Sequence, residues 1–171
     1  MTDFYAETVQ TSKLLQALDG WLEKAKLHAE AKGFDPAVLL QSRLSPDMYA
    51  LTRQIQAACD GVKFLAARTA GKEPPKHPDS DTATFDELRA RIRSVLEYTA
   101  SFTAKDFEGT DKRVVPLGFM PGKGLAATDF VREMSIPNTY FHLCMAYAIL
   151  RHNGVALGKQ DFISSLNLQD I

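Results

Sequence analysis

Ile136-Pro137-Asn138-Thr139-Tyr140-Phe141-His142-Leu143-Cys144-Met145-Ala146-Tyr147-Ala148-Ile149-Leu150-Arg151-His152-Asn153-Gly154 reads as an apolar helix with one histidine near its middle and a sharp polar stop. A helix that is apolar on nearly every side is buried on nearly every side, so this one is expected to be the most enclosed helix of its domain. His142 must then find a hydrogen-bonding partner there or bind something, and any chemical hypothesis starts from it. The stop is equally legible: His152 suits the negative helix terminus, and Asn153-Gly154 tolerates the left-handed backbone that ends helices.

Working back from that helix, Thr128-Asp129 is expected to cap a helical stretch through Ser135, with Pro137 bending or restarting it. Before it, Arg113-Val114-Val115-Pro116 and the Pro121-Gly122-Lys123-Gly124 turn predict a small hairpin, which Pro116 confines to an edge. Thr84 with Glu87 forms a capping box opening a helix to about Phe102, with Phe85, Leu88, Ile92, Val95 and Leu96 on its apolar face. Lys72 to Asp81 is proline-rich and charged and reads as an exposed connection between two helical pairs.

At the start, Leu14, Leu18, Trp21, Ala25 and His28 recur at spacings of four and three, the seam of a helix from about Glu7 to Lys32 that Gly33 ends. Asp35-Pro36 opens a short turn through Leu40. Ser45-Pro46-Asp47 repeats that signal and opens a second long helix to about Ala70, with Asp47 as its cap. Four long amphipathic segments with one long connection and one hairpin-bearing connection give an all-α four-helix bundle, a single domain over residues 1–171.

Composition narrows the function classes. With 20 Lys plus Arg against 21 Asp plus Glu, the chain lacks the positive excess of a nucleic-acid binder. No apolar run reaches the length of a bilayer span and no basic leader opens the chain, so a cytoplasmic protein is expected. Cys59 and Cys144 lack metal or redox spacing and are expected to act as small buried hydrophobes.

Bundles build their sites from polar side chains on core-facing stripes. His28 lies on the stripe of the first helix, and Gln56 and Asp60 share a face of the second with Tyr49, Arg53 and Lys63. His142 has Met145, Ala146 and Ile149 on its own face. If these faces converge, His28, Asp60 and His142 offer two imidazoles and a carboxylate, a set acceptable to zinc, nickel or iron. Equally, His142 and His28 fit core histidines satisfied by a carbonyl, hydroxyl or water, and Asp60 and Gln56 fit partners of Arg53 or Lys63 along one helix. The chain has no H-x-x-x-H, no E-x-x-H, no G-x-S-x-G elbow and no P-loop; Gly118 to Gly124 is turn chemistry.

The order Leu44-Ser45-Pro46-Asp47-Met48-Tyr49, Arg53-Gln54-Ile55-Gln56, Cys59-Asp60, Val115-Pro116-Leu117-Gly118, Pro137-Asn138-Thr139-Tyr140-Phe141-His142 and Ala148-Ile149-Leu150-Arg151-His152-Asn153-Gly154-Val155, closing on Leu157-Gly158-Lys159-Gln160-Asp161-Phe162, resembles a bacterial family of unknown function in the DinB/YfiT-like superfamily. The resemblance runs from Phe4 to Phe162. It implies a DinB-like four-helix bundle with a short hairpin or irregular insertion between helices three and four, commonly a homodimer. Superfamily members hold a divalent metal with three histidines, one on the second helix and two spaced four apart on the last, and some are thiol-dependent transferases or isomerases. His142 matches the first of the last-helix pair; Ala146 stands where the second would be, and the second helix offers Gln56, Cys59 and Asp60 instead of histidine.

Two functions follow as expectations. One is a small-ligand or degenerate divalent-metal pocket between the helices, lined by His28, Tyr49, Gln56, Asp60, His142 and Tyr147, with His142, Asp60 and His28 as the metal ligands. The other is a non-catalytic homodimeric module without metal, in which the core polar groups satisfy one another.

Overall fold

The computed structural model describes residues 2–170. Helix α1 spans Phe4–Lys32; Asp3 caps it by accepting from the Ala6 N–H at 2.9 Å, and Gly33 ends it at φ 75°. It begins before Glu7 because Asp3 supplies a side-chain acceptor for the free N–H groups of the first turn. Helix α2 is the short Ala37–Gln41.

Helix α3, Leu51–Ala70, starts later than the Ser45-Pro46-Asp47 signal predicts. Those residues close a turn of their own, the Met48 N–H donating to the Ser45 carbonyl, and the Ser45 hydroxyl donates to Asp47 at 2.6 Å. Asp47 is therefore spent on a turn and caps no helix. Helix α4, Phe85–Ala100, opens on the expected capping box: Thr84 accepts from the Glu87 N–H and Glu87 accepts from the Thr84 N–H.

After a 3-10 turn at Ala104–Phe107, β1 (Val114–Pro116) and β2 (Gly124–Ala126) form the antiparallel hairpin, with Val115 opposite Leu125. Helix α5, Ala127–Asp129, runs without interruption into a π-helical turn, Phe130–Ser135, and then into α6, Ile136–His152. Thr128 and Asp129 lie inside this helical run and make no cap; the Ala127 N–H is instead held by the Arg113 carbonyl at 2.8 Å. The wide turn falls directly before Pro137, whose missing N–H interrupts the α ladder at that point. Gly154, at φ 90°, follows the helix end, and α7 (Lys159–Phe162) leads to the tail.

The four long helices α1, α3, α4 and α6 pack as a bundle around one apolar cluster containing Leu18, Trp21, Ile55, Ile92 and Leu150. A second cluster, with Phe4, Leu65, Phe107, Val115 and Phe130, joins the hairpin region to the end of α3. The enclosed helix is α3, which is buried along nearly its whole length, whereas α1, although it also meets the other three long helices, keeps one face in solvent. Helix α6 is less enclosed than its composition predicts. It packs chiefly on α3 and α1, which cover one side, so Tyr140, Phe141 (51% exposed) and Cys144 face outward. Cys144 thereby departs from expectation, whereas Cys59 is buried, and burial pushes its thiol up to about 12.

The Lys72 to Asp81 connection has no helix or strand, yet it is fastened to the bundle. Arg91 donates to the Pro78 carbonyl and to Asp79, Gln56 donates to the Ser80 carbonyl at 2.7 Å, and Gln41 donates to the Asp81 carbonyl at 2.9 Å. It is a strap across α3 and α4, formed because buried polar side chains on those helices need acceptors. Among the described residues no helix is long and apolar enough to cross a membrane.

Candidate functional site

Most of α3 is buried, and the positions before its terminal Ala70 that are only partly so, Arg53, Ala57, Asp60, Phe64 and Arg68, recur every three or four residues. That spacing makes one stripe along the helix. All five residues line a cavity of about 360 Å3, closed on the other sides by Tyr49, Asp79 of the strap, Gly118 and Phe119 of the hairpin turn, and Phe130, Met134 and Ser135 of the π turn. Asn138 and His142 of α6 complete it. Three of the six residues of the π turn thus face the cavity, consistent with the use of such turns to aim side chains at sites.

His142 is only 8% exposed, and its Nδ1 lies 2.8 Å from Oε1 of Gln54 on α3. The Gln54 amide is oriented by its other end, which donates to the Tyr49 carbonyl at 3.3 Å; a carbonyl only accepts, so the amide NH2 points there and the oxygen points at the imidazole. Nδ1 therefore carries the proton. Nε2 is left as a lone-pair acceptor with no partner among the described residues. Burial, with the Arg53 charge adding to it, holds the His142 pKa below the usual histidine value, so the ring is neutral near pH 7. Tyr49 lies nearly parallel to the imidazole, 6.4 Å away between centroids. The geometry presents a fixed neutral tautomer, the form that accepts a proton or ligates a metal.

A charge network lies along the same wall. Asp60 accepts from Lys63 at 2.7 Å and from Arg91 at 2.9 Å, and Asp79 accepts from Arg53 and from Arg91 at 3.0 Å. Burial opposes ionisation of Asp79, but the Arg53 hydrogen bond and the two guanidinium charges outweigh it and hold the carboxyl below its ordinary value. Both acids are thus committed to cations. Arg68 is different: its guanidinium carbon sits 4.3 Å from the Phe64 ring centroid and 5.7 Å from that of Phe130.

The sequence-predicted residues divide. Tyr49, Asp60 and His142 meet at the cavity. Gln56 does not line it; it is 2% exposed and spans Arg53 and the strap. His28 packs edge-on against Phe34 and lies beside Gly154, because the α1 seam turns its last polar residue toward the end of the bundle. Tyr147 faces α1 instead, packed edge-on against Trp21 and Phe162. The set His28, Asp60 and His142 is accordingly not brought together, and among the described residues no three His, Cys, Asp or Glu side chains gather as a metal-holding group. With Asp60 tied to two cations and a neutral glutamine on Nδ1, the residues at His142 do not fit a three-ligand centre.

Gln54, Phe64, Arg68, Phe119, Ser135 and Asn138 belong to the site without having been singled out from sequence. The 53, 57, 60, 64, 68 spacing is the signal that would have found Phe64 and Arg68; Gln54 lies off that stripe.

A four-helix bundle with a hairpin insertion before its last long helix is a DinB-type architecture. The chain is similar to a DinB family member protein from Shewanella denitrificans, known from its crystal structure, at 43% identity over 96% of this chain and 93% of that one, with a TM-score of 0.91. It belongs to the family described as Domain of unknown function (DUF1993), whose model matches residues 4–163. No curated protein matches it.

Proposed function

We propose that this DinB-family protein binds a small organic molecule in the α3–α6 cavity, with His142 Nε2 as its proton acceptor or polar anchor. One observation carries the reading: a buried neutral imidazole is locked in a single tautomer by Gln54 while its second nitrogen stays unpaired beside an open cavity. Nε2 is not among the buried atoms that lack a partner, so it is accessible to a ligand and not sealed in the core. The cavity volume and its mix of aromatic rings with a few convergent polar groups suit a small ligand. The test is a fragment screen read by NMR on ring-labelled histidine. Binders are expected to shift the His142 resonances without shifting those of His28, and to lose affinity about tenfold in His142→Ala. A screen in which no fragment moves His142 would sink the proposal.

A second reading is favoured by the exposed apolar row Tyr140, Phe141 and Cys144 on α6: a homodimer closed through that face. The two readings are compatible, since Tyr140, Phe141 and Cys144 are not among the residues that line the cavity.

A further inference from the structure

The charge balance around the cavity says which ligands suit it. Four cationic side chains, Arg53, Lys63, Arg68 and Arg91, stand against two carboxylates, Asp60 and Asp79. Arg53, Lys63 and Arg91 spend their charge on those acids. Arg68 makes neither an ion pair nor a hydrogen bond among the described residues. Its guanidinium rests over Phe64, with Phe130 on its flank, and both rings line the cavity.

Stacking uses the face of a guanidinium and leaves its N–H fork directed outward in the plane, where it matches a carboxylate through two hydrogen bonds. Burial lowers the Arg68 pKa, and the Asp60 charge, which does not ion-pair with it, offsets this only in part. An anion arriving at the fork offsets the remainder. The cavity also offers a flat apolar lining, from Tyr49, Phe64, Phe119 and Phe130.

Resting on the ligand-binding reading above, we infer that the cavity selects an aromatic carboxylate, its acid group held by Arg68 and its ring system laid against the phenyl-rich wall. Arg68 is then the specificity-determining residue.

The experiment compares 2-naphthoate with its neutral amide, 2-naphthamide, by calorimetry on the intact protein at low salt. The acid is expected to bind at least tenfold more tightly, and that preference is expected to shrink as sodium chloride is raised. Arg68→Met should weaken naphthoate about tenfold and leave naphthamide unchanged, while Arg68→Lys, which keeps the charge, should retain part of the preference. Circular dichroism of both variants checks that they fold. Equal affinity for acid and amide overturns the carboxylate assignment while leaving the ligand pocket standing. Inorganic phosphate binding as tightly as naphthoate overturns the aromatic half. Failure of naphthoate to bind while other fragments shift His142 overturns this inference alone; a screen in which no fragment shifts His142 overturns the reading it rests on as well.

Discussion

His142 is fixed by a glutamine 88 positions earlier in the chain. Its depressed pKa has a definite sign in stability. The unfolded imidazole takes up a proton as pH falls through its ordinary value, whereas the folded ring resists until lower pH, so acidification in that window favours unfolding. Stability is expected to fall as pH drops below about 6.5, levelling only once the folded ring also protonates. His142→Gln should flatten part of that slope in thermal melts taken between neutral and mildly acidic pH; an unchanged slope would refute the assignment. A direct NMR titration should place the His142 midpoint below those of free histidine peptides. His77, lowered by burial and by Lys63 and Arg91, slopes the same way and remains in the variant as background.

A second residue sets the spacing of the two helices that hold the site. A Cβ at Gly61 would come 2.3 Å from Thr139 Oγ1, itself buried and without a hydrogen-bond partner. Helices α3 and α6 therefore touch at a point that only glycine allows. Gly61→Ala gains helix propensity but forces the helices apart, for a net loss of about 1–3 kcal/mol in denaturant unfolding. His142 was legible because a lone imidazole among apolar residues stands out. Gln54 and Arg68 were not, because a glutamine and an arginine on an amphipathic helix look like solvated residues until their neighbours are known.

At the level of elements, helix stops follow from local sequence, starts do so unevenly, since Asp47 and Thr128-Asp129 cap nothing, and enclosure least of all. Gly33, Gly71 and the Thr84–Glu87 box sit where local chemistry puts them, since each acts within a few residues. Which helix becomes central depends on how much of its circumference is covered, and α3, with small residues such as Ala58, Gly61 and Ala66 on its packed faces, is buried on nearly all of it. The strap was hidden for the same reason: apart from the Asp79 carboxylate, the acceptors that fasten it are backbone carbonyls, which the sequence does not distinguish. Arg91 is its main fastening, 7% exposed and bonded to Pro78, Asp79, Asp60 and the Gln56 carbonyl. Arg91→Leu should cost about 2–3 kcal/mol, less than breaking a fully buried pair, because Lys63 and Arg53 still serve the two acids. Hydrogen exchange and proteolysis should rise between residues 72 and 81 in that variant while the ends of α1 stay protected.

For the whole molecule, the bundle and the hairpin between its third and fourth long helices follow from helix count, connection length and turn chemistry, each carried by local sequence. The outward row on α6 is a property of the assembled fold. If it closes a homodimer, sedimentation of the wild type should give twice the chain mass, and Phe141→Glu should return a monomer with an unchanged circular dichroism spectrum. A wild type that sediments as a monomer at high micromolar concentration would exclude this interface.

The stripe on α3 carries one more implication, for how such a protein changes over generations. The rest of that helix is locked by packing, so substitutions there threaten the fold. Ala57, Phe64 and Arg68 border the cavity on one side and solvent on the other, and of the three only Arg68 carries a charge. Mutation can therefore retune what the cavity holds at positions where the bundle scarcely registers the change, and a new ligand preference is reachable by single steps through stable intermediates.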